Sequence, residues 1–314
     1  LNFVDEENSI VGEEAFMNPV KSDEFTVGYF LSKKFDLVSL DLGVRFDQID
    51  RDGSVSHEDG DLDHYSISDD VTSYALSLGR SINSNIDINL GFASVERLPS
   101  AVELFMNGPH MATGRFEVGD PTLKSETSEN IDLSFNYETD NTYAFLSLYF
   151  NDVDNYIALI DEDDHGDDDH GDDDHGDDDH GDDDHGDGHG HGDHENLIHA
   201  NYMQENASFD GYEMEIGRTI SLAGGELNVS FGKDAVKAKF SDGHYVPRIN
   251  PGRNIYSLSY NKIDTVFKLS LKDVSSQYDI AEGETVTNGY QMLDARITKE
   301  FNLNDKSSLK ISFF

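Results

Sequence analysis

Val38-Ser39-Leu40-Asp41-Leu42-Gly43-Val44-Arg45-Phe46-Asp47 carries an apolar residue at every even position and a small or polar one at every odd position. A period of two puts these sets on opposite faces of one strand. The pattern recurs in both directions along the chain. Ile86, Ile88, Leu90 and Phe92 alternate with Asp87, Asn89, Gly91 and Ala93, and Ile131, Leu133, Phe135 and Tyr137 alternate with Asp132, Ser134 and Asn136. Further stretches are 25–31, 74–78, 143–150, 212–216, 227–231, 255–260, 267–271, 293–297 and 309–313. This predicts about twelve strands and no amphipathic helix. The 143–150 stretch is apolar on both faces, so its facing stays open. Asp41, Arg45, Asp87, Asp132 and Glu213 fall on the polar strand face, where wall charges are preferred over a substrate path.

The connections alternate between short and long. Short ones fall near 33–36, 81–85, 139–141, 221–226, 261–264 and 302–306, and long ones at 48–70, 94–128, 152–206, 235–253 and 274–289. A transmembrane barrel has short turns at one end and long loops at the other. Its strands need only about 9–11 residues to span a bilayer, and the 19 Phe and 14 Tyr suit interfacial aromatic girdles. The fold class read here is all-β, an antiparallel transmembrane β-barrel. A soluble β-sandwich or β-solenoid with long loops is the alternative.

The chain has 314 residues, with 22 Lys and Arg against 64 Asp and Glu, for a net charge of −42. Between Asp161 and Glu195 lie 19 of the acids and no base, so the remaining 45 acids still outnumber the bases twofold. Nucleic-acid binding needs a basic footprint and is excluded. With no Cys, disulfides, thiolate metal sites and thiol catalysis drop out. No apolar run is long enough for a transmembrane helix. No nucleophile elbow, P-loop or HExxH helix is present, so an enzyme is not expected.

Three stretches carry a family resemblance. The first runs from Glu96 through Arg97-Leu98-Pro99-Ser100-Ala101-Val102-Glu103-Leu104-Phe105 and Asn107-Gly108-Pro109-His110 to Gly119-Asp120-Pro121-Thr122-Leu123-Lys124-Ser125-Glu126. It resembles the R-x-P-S-x-x-E-L-F … G-N/D-P-x-L-K-x-E segment of TonB-dependent outer-membrane receptors. The Asn107–Glu117 insert is similar to that of the group associated with zinc uptake. The second stretch is Val11–Phe16, and the third is Val246–Arg253, where Asn250 stands for the first of two paired prolines. The resemblance implies a bacterial outer-membrane location and contact with outer-membrane lipid. It implies part of a 22-strand barrel over residues 1–314, cut at both ends, with the plug and TonB box absent. It further implies energisation by the TonB complex and Zn2+ or a similar divalent ion as cargo, with no prosthetic group. Such receptors also import ferric siderophores and haem, so fold alone does not choose the cargo.

Asp164-His165-Gly166-Asp167-Asp168 opens a five-residue repeat. It places His165, His170, His175, His180 and His185 beside Asp164, Asp169, Asp174, Asp179 and Asp184, and His189, His191, His194 and His199 follow. Five residues turn a helix by about 140° net, so these His would not share a face, and a Gly in each repeat opposes helix further. The 161–195 insert is expected to be disordered without metal. Imidazole with carboxylate suits Zn2+, Cu2+ or Ni2+. The insert reads as a collecting antenna; a solvated acidic spacer is the bland alternative.

By the resemblance, His110 of Asn107-Gly108-Pro109-His110 is the barrel residue that contributes to a discrete metal site. A surface-loop His is the competing reading. Glu103 is a weaker candidate, with a structural hydrogen bond as its alternative. His57 and His64, within Ser56–His64, form a second His/Asp cluster, either an accessory collecting site or a solvated loop. His244 reads as surface. A surface metal buffer or adhesin without transport is the alternative from another functional class.

Overall fold

A computed structural model describes residues 1–12, 15–57, 60–162, 197–304 and 307–314. Its strands are β1 (Asn2–Asn8), β2 (Val20–Lys34), β3 (Val38–Ser56), β4 (Leu62–Asn83), β5 (Ile86–Arg97), β6 (Asn107–His110), β7 (Arg115–Val118), β8 (Glu126–Glu138), β9 (Thr142–Asp161), β10 (Ile198–Leu222), β11 (Gly225–Phe240), β12 (Arg253–Lys262), β13 (Thr265–Val274), β14 (Tyr290–Asn304) and β15 (Ser307–Phe313). One short helix, α1 (Ala101–Phe105), precedes β6. Thirteen strands form one antiparallel path, in chain order from β1 to β15 with β6 and β7 set aside. The expected strands all appear on it. The additions are β1 on the path, and α1, β6 and β7 inside the loop between β5 and β8.

The connections behave as a barrel requires, with one correction. The expected loop over 48–70 is mostly strand, because β3 runs on to Ser56 and β4 begins at Leu62. Likewise β9 continues to Asp161 and β10 starts at Ile198. These strands have 19, 22, 20 and 25 residues, against 10 in β12 and β13. Spanning takes about 10, so roughly ten residues, on the order of 30 Å of strand, stand clear of the bilayer.

The sequence changes face where those strands leave the membrane. Along the spanning part, Leu40 pairs with Leu78, Leu42 with Leu76 and Val44 with Tyr74, and Leu42, Val44, Tyr74 and Leu78 are exposed, as a lipid-facing surface must be. Beyond Asp47 the even positions turn polar with Gln48, Asp50 and Asp52, while Ile49 and Val55 carry the apolar character at odd positions. The inner face of the extension therefore becomes a packing surface. Val55, Tyr65 and Ile67 pack around Met17, Val20, Ala101, Leu104 and Phe105. A second cluster joins Ala207, Ala238 and Val246 to Tyr156, Phe209, Phe240 and Ile249. The loops at 98–125 and 241–252 thus fold inward over the wall.

Candidate functional site at the long-loop end

The 98–125 loop is built from its helix outward. Ser100 caps α1. The Glu103 backbone N–H donates to Ser100 Oγ at 3.3 Å, and the Ser100 N–H donates to Glu103 Oε2 at 2.6 Å. This reciprocal box satisfies two donors that a helix start leaves open. Arg97 adds ion pairs to Glu103 at 2.8 Å and Glu126 at 3.1 Å. Burial pushes the Glu103 carboxyl up, but the hydrogen bonds from Arg97 and Ser100 outweigh it and leave the group below its usual range. Glu103 is thus a structural residue of the loop. Phe105, 1% exposed, seats its ring over Gly53, where an added Cβ would stand 2.7 Å from the ring.

After Met106 the chain forms the β6–β7 hairpin, with Asn107 opposite Val118 and His110 opposite Arg115. Its turn closes with Thr113 N–H donating to the His110 carbonyl at 3.0 Å and with Gly114 at φ +67°. β7 then pairs in parallel with the top of β10, Phe116 beside His199 and Glu117 beside Ala200. Two separate long connections are thereby joined into one sheet.

The registers sort the side chains by face. Gly108, His110, Arg115, Glu117, Ile198 and Ala200 share one face; Pro109, Phe116 and His199 share the other. On the first, His110 Nδ1 lies 3.0 Å from Glu117 Oε1, and Thr113 Oγ1 donates to the same oxygen at 2.7 Å. The Phe16 ring lies 4.9 Å from the imidazole. On the second, His199 stacks on Phe116 at 5.2 Å. His199 belongs to β10, on the opposite face from His110.

The strands that carry the His/Asp insert are clamped where they approach it. Asp161 pairs with Ala200, and the Glu162 N–H donates to the His199 carbonyl at 2.8 Å. Asn201 Nδ2 donates to Glu162 Oε1. Asp161 receives Arg115 at two points, both 2.7 Å, and Arg248 Nη2 at 3.0 Å. Arg248 also donates Nη1 to the Leu159 carbonyl at 2.6 Å, and holds φ +63°, a left-handed conformation unusual for Arg. The hydrogen bonds from Arg115 hold the Asp161 carboxyl below its ordinary range.

His165, His170, His175, His180, His185, His189, His191 and His194, with Asp164, Asp169, Asp174, Asp179 and Asp184, lie outside the described residues. His57 pairs with Asp63 at 2.9 Å, whereas His64 projects from β4 in register with Ser54. His244 pairs with Asp242 at 2.9 Å on an exposed turn. Among the described residues, no three His, Asp or Glu are arranged to hold a metal ion. On the polar strand face, Arg45 binds Asp47 at 2.8 Å, and Thr26 Oγ1 donates to Asp47 at 2.7 Å, which makes Arg45 a wall charge. Sequence reasoning passed over Glu117, Arg115 and Asp161. For Glu117 the sequence signal was its place as the last residue of the Asn107–Glu117 insert, an acid between the apolar Phe116 and Val118, with nothing to give it a role.

A family model described as TonB dependent receptor-like, beta-barrel, matches residues 5–313. The chain belongs to that family. It is thus part of an outer-membrane β-barrel, and its long-loop end is the extracellular one. Among solved structures, the copper transporter OprC is similar at TM-score 0.68 and 15% identity, over 93% of this chain and 42% of that one. The FrpB iron transporter from Neisseria meningitidis gives TM-score 0.59 and 13% identity, over 94% and 41%. The Serratia marcescens hemophore receptor HasR, solved with its hemophore HasA and heme, gives TM-score 0.61 and 12% identity, over 95% and 48%. At these identities the likeness is one of fold. The chain spans less than half the length of each of these structures.

Proposed function

We propose that this chain is the barrel portion of a TonB-dependent receptor that imports zinc. The observation that carries the reading is the pairing of β7 with β10. It joins the hairpin bearing His110 to the strand that follows the His/Asp insert. The insert collects divalent ions at the surface, His110 contributes to a discrete site below, and the TonB complex drives release inward. The acidic balance of the loops favours a free cation over a large anionic chelate. The remaining ligands come from parts of the receptor outside this chain.

The test is energy-dependent uptake in cells expressing the full-length receptor, with radiolabelled zinc compared against a ferric siderophore and haem, with and without TonB. The expected result is TonB-dependent zinc uptake that is lost in His110→Ala. Uptake of iron chelates alone would overturn the zinc reading. Surface zinc binding without TonB-dependent entry would make the protein a metal buffer.

A further inference from the structure

Glu117 is an expensive residue to bury. Its side chain is 4% exposed, and a carboxylate out of water needs hydrogen-bonding partners. It has two on one oxygen, His110 Nδ1 at 3.0 Å and Thr113 Oγ1 at 2.7 Å. Thr113 Oγ1 also lies 2.9 Å from the His110 carbonyl, so the turn is tied to both residues. The Phe16 ring lies 4.9 Å from the imidazole, and Gly108 lets Phe16 come this close, since a Cβ there would stand 2.9 Å from Phe16 Cα.

We propose that Glu117 is the positioning residue of the His110 site, taking the Nδ1–H and turning Nε2 into the metal-facing nitrogen. The proposal rests on the metal reading above. A neutral imidazole has one donor and one acceptor nitrogen. An acceptor oxygen against Nδ1 makes that nitrogen the donor and leaves the lone pair on Nε2. Among the described residues, no group hydrogen-bonds Nε2, and the His110 side chain is 33% exposed. Metal-binding His commonly donate their second N–H to a carboxylate, and losing that partner costs roughly 10- to 100-fold in affinity or activity. A carboxylate is also the better partner electrostatically, because its charge makes the imidazole a stronger ligand.

The test uses the full-length receptor in detergent with residues 163–196 deleted, so that the insert does not mask a single site. Zinc affinity is read by competition with a chromogenic chelator for the unsubstituted protein, Glu117→Gln and His110→Ala. Amide exchange over Asn107–Val118 is followed in parallel. Gln keeps the shape and an acceptor oxygen but removes the charge. The expected result is a loss of about tenfold or more in Glu117→Gln, with hairpin exchange unchanged and a larger loss in His110→Ala. Wild-type affinity in Glu117→Gln beside a loss in His110→Ala would overturn the positioning role and spare the site. Affinity and hairpin protection falling together would reduce Glu117 to a fold-holding residue and also overturn the proposal. No effect of His110→Ala would overturn the site itself. If Glu117→Gln does not fold into a heat-modifiable barrel, Glu117→Asp, which keeps the charge at shorter reach, should show an intermediate loss; wild-type affinity there counts against the role.

Discussion

Arg115 grips Asp161 at two points, Nε to Oδ1 and Nη2 to Oδ2, each 2.7 Å. The pair ties the hairpin of one extracellular loop to the last residue of β9, where a different loop begins. A fork-to-carboxylate contact fixes direction as well as distance. It therefore sets the angle at which His110 is presented. Arg115→Met keeps the stem and removes the fork. The expected outcome is a loosened hairpin, with the pair contributing on the order of 1 kcal/mol because Arg115 keeps part of its side chain in solvent. No Cys of this chain competes for a label, and a nitroxide on Met111→Cys should become more mobile in Arg115→Met.

Acid should have the same effect. Asp161 is held below its ordinary range by Arg115. A group whose pKa is depressed in the folded state adds stability above its unfolded pKa, about 3.9 for Asp, and loses that stability as pH falls through the depressed value. The Met111→Cys label should stay immobile from neutral pH to about 4 and loosen below it. In Asp161→Asn it should be loose throughout, with no acid step. A step of unchanged size in that variant would assign it to another group.

Gly53 admits Phe105 only because it has no side chain. Gly53→Val should displace α1 from the wall while leaving the spanning part of β3 in place. Protease cleavage within 98–125 should rise severalfold, with the barrel still heat-modifiable on gels. Cleavage at the wild-type rate would show that Phe105 has an alternative seat.

Ser100 closes the capping box on Glu103. Ser100→Ala should cost about 1 kcal/mol of local stability, read as faster amide exchange over Ala101–Met106. Adding Glu103→Gln should cost less than the sum of the two single changes, because both residues serve one box.

His110 and His199 occupy opposite faces of the three-stranded sheet made by β6, β7 and β10. They should behave differently despite being one strand apart. With 163–196 deleted, His199→Ala should leave zinc affinity unchanged while His110→Ala reduces it. Equal losses would require the two rings to reach one ion around the sheet edge.

The barrel wall was legible because lipid imposes a strict rule. Leu40, Leu42 and Val44 are apolar at every second position because that face meets hydrocarbon. The same rule hid the extensions. Past Asp47 the apolar residues move to the inner face, at Ile49 and Val55, and a reading that follows one parity sees the strand end. β1 was missed for a related reason, since Asp5, Glu6 and Glu7 carry no lipid-facing signal and depend on pairing with β2. His110 was legible through its motif. Glu117 ends the same motif, but its role was not legible, because it comes from the seven-residue return of the hairpin that sets it against His110. The Arg115–Asp161 pair joins residues 46 apart, a distance at which local pattern carries no information.

The repeated insert leaves and re-enters the fold between neighbouring strands, with Asp161 in register with Ala200. Strand pairing at this point is complete without any contribution from the repeat number. Gaining or losing five-residue units shifts no register and moves no residue of the His110 hairpin, and the entropic cost of closing a longer segment grows only with the logarithm of its length. Copy number at this position is thus a nearly neutral variable for folding and, on the proposed reading, a graded one for ion capacity. If the insert collects metal as proposed, replication slippage in the encoding repeat adjusts how much metal a cell surface holds, generation by generation, without altering the strands beneath it.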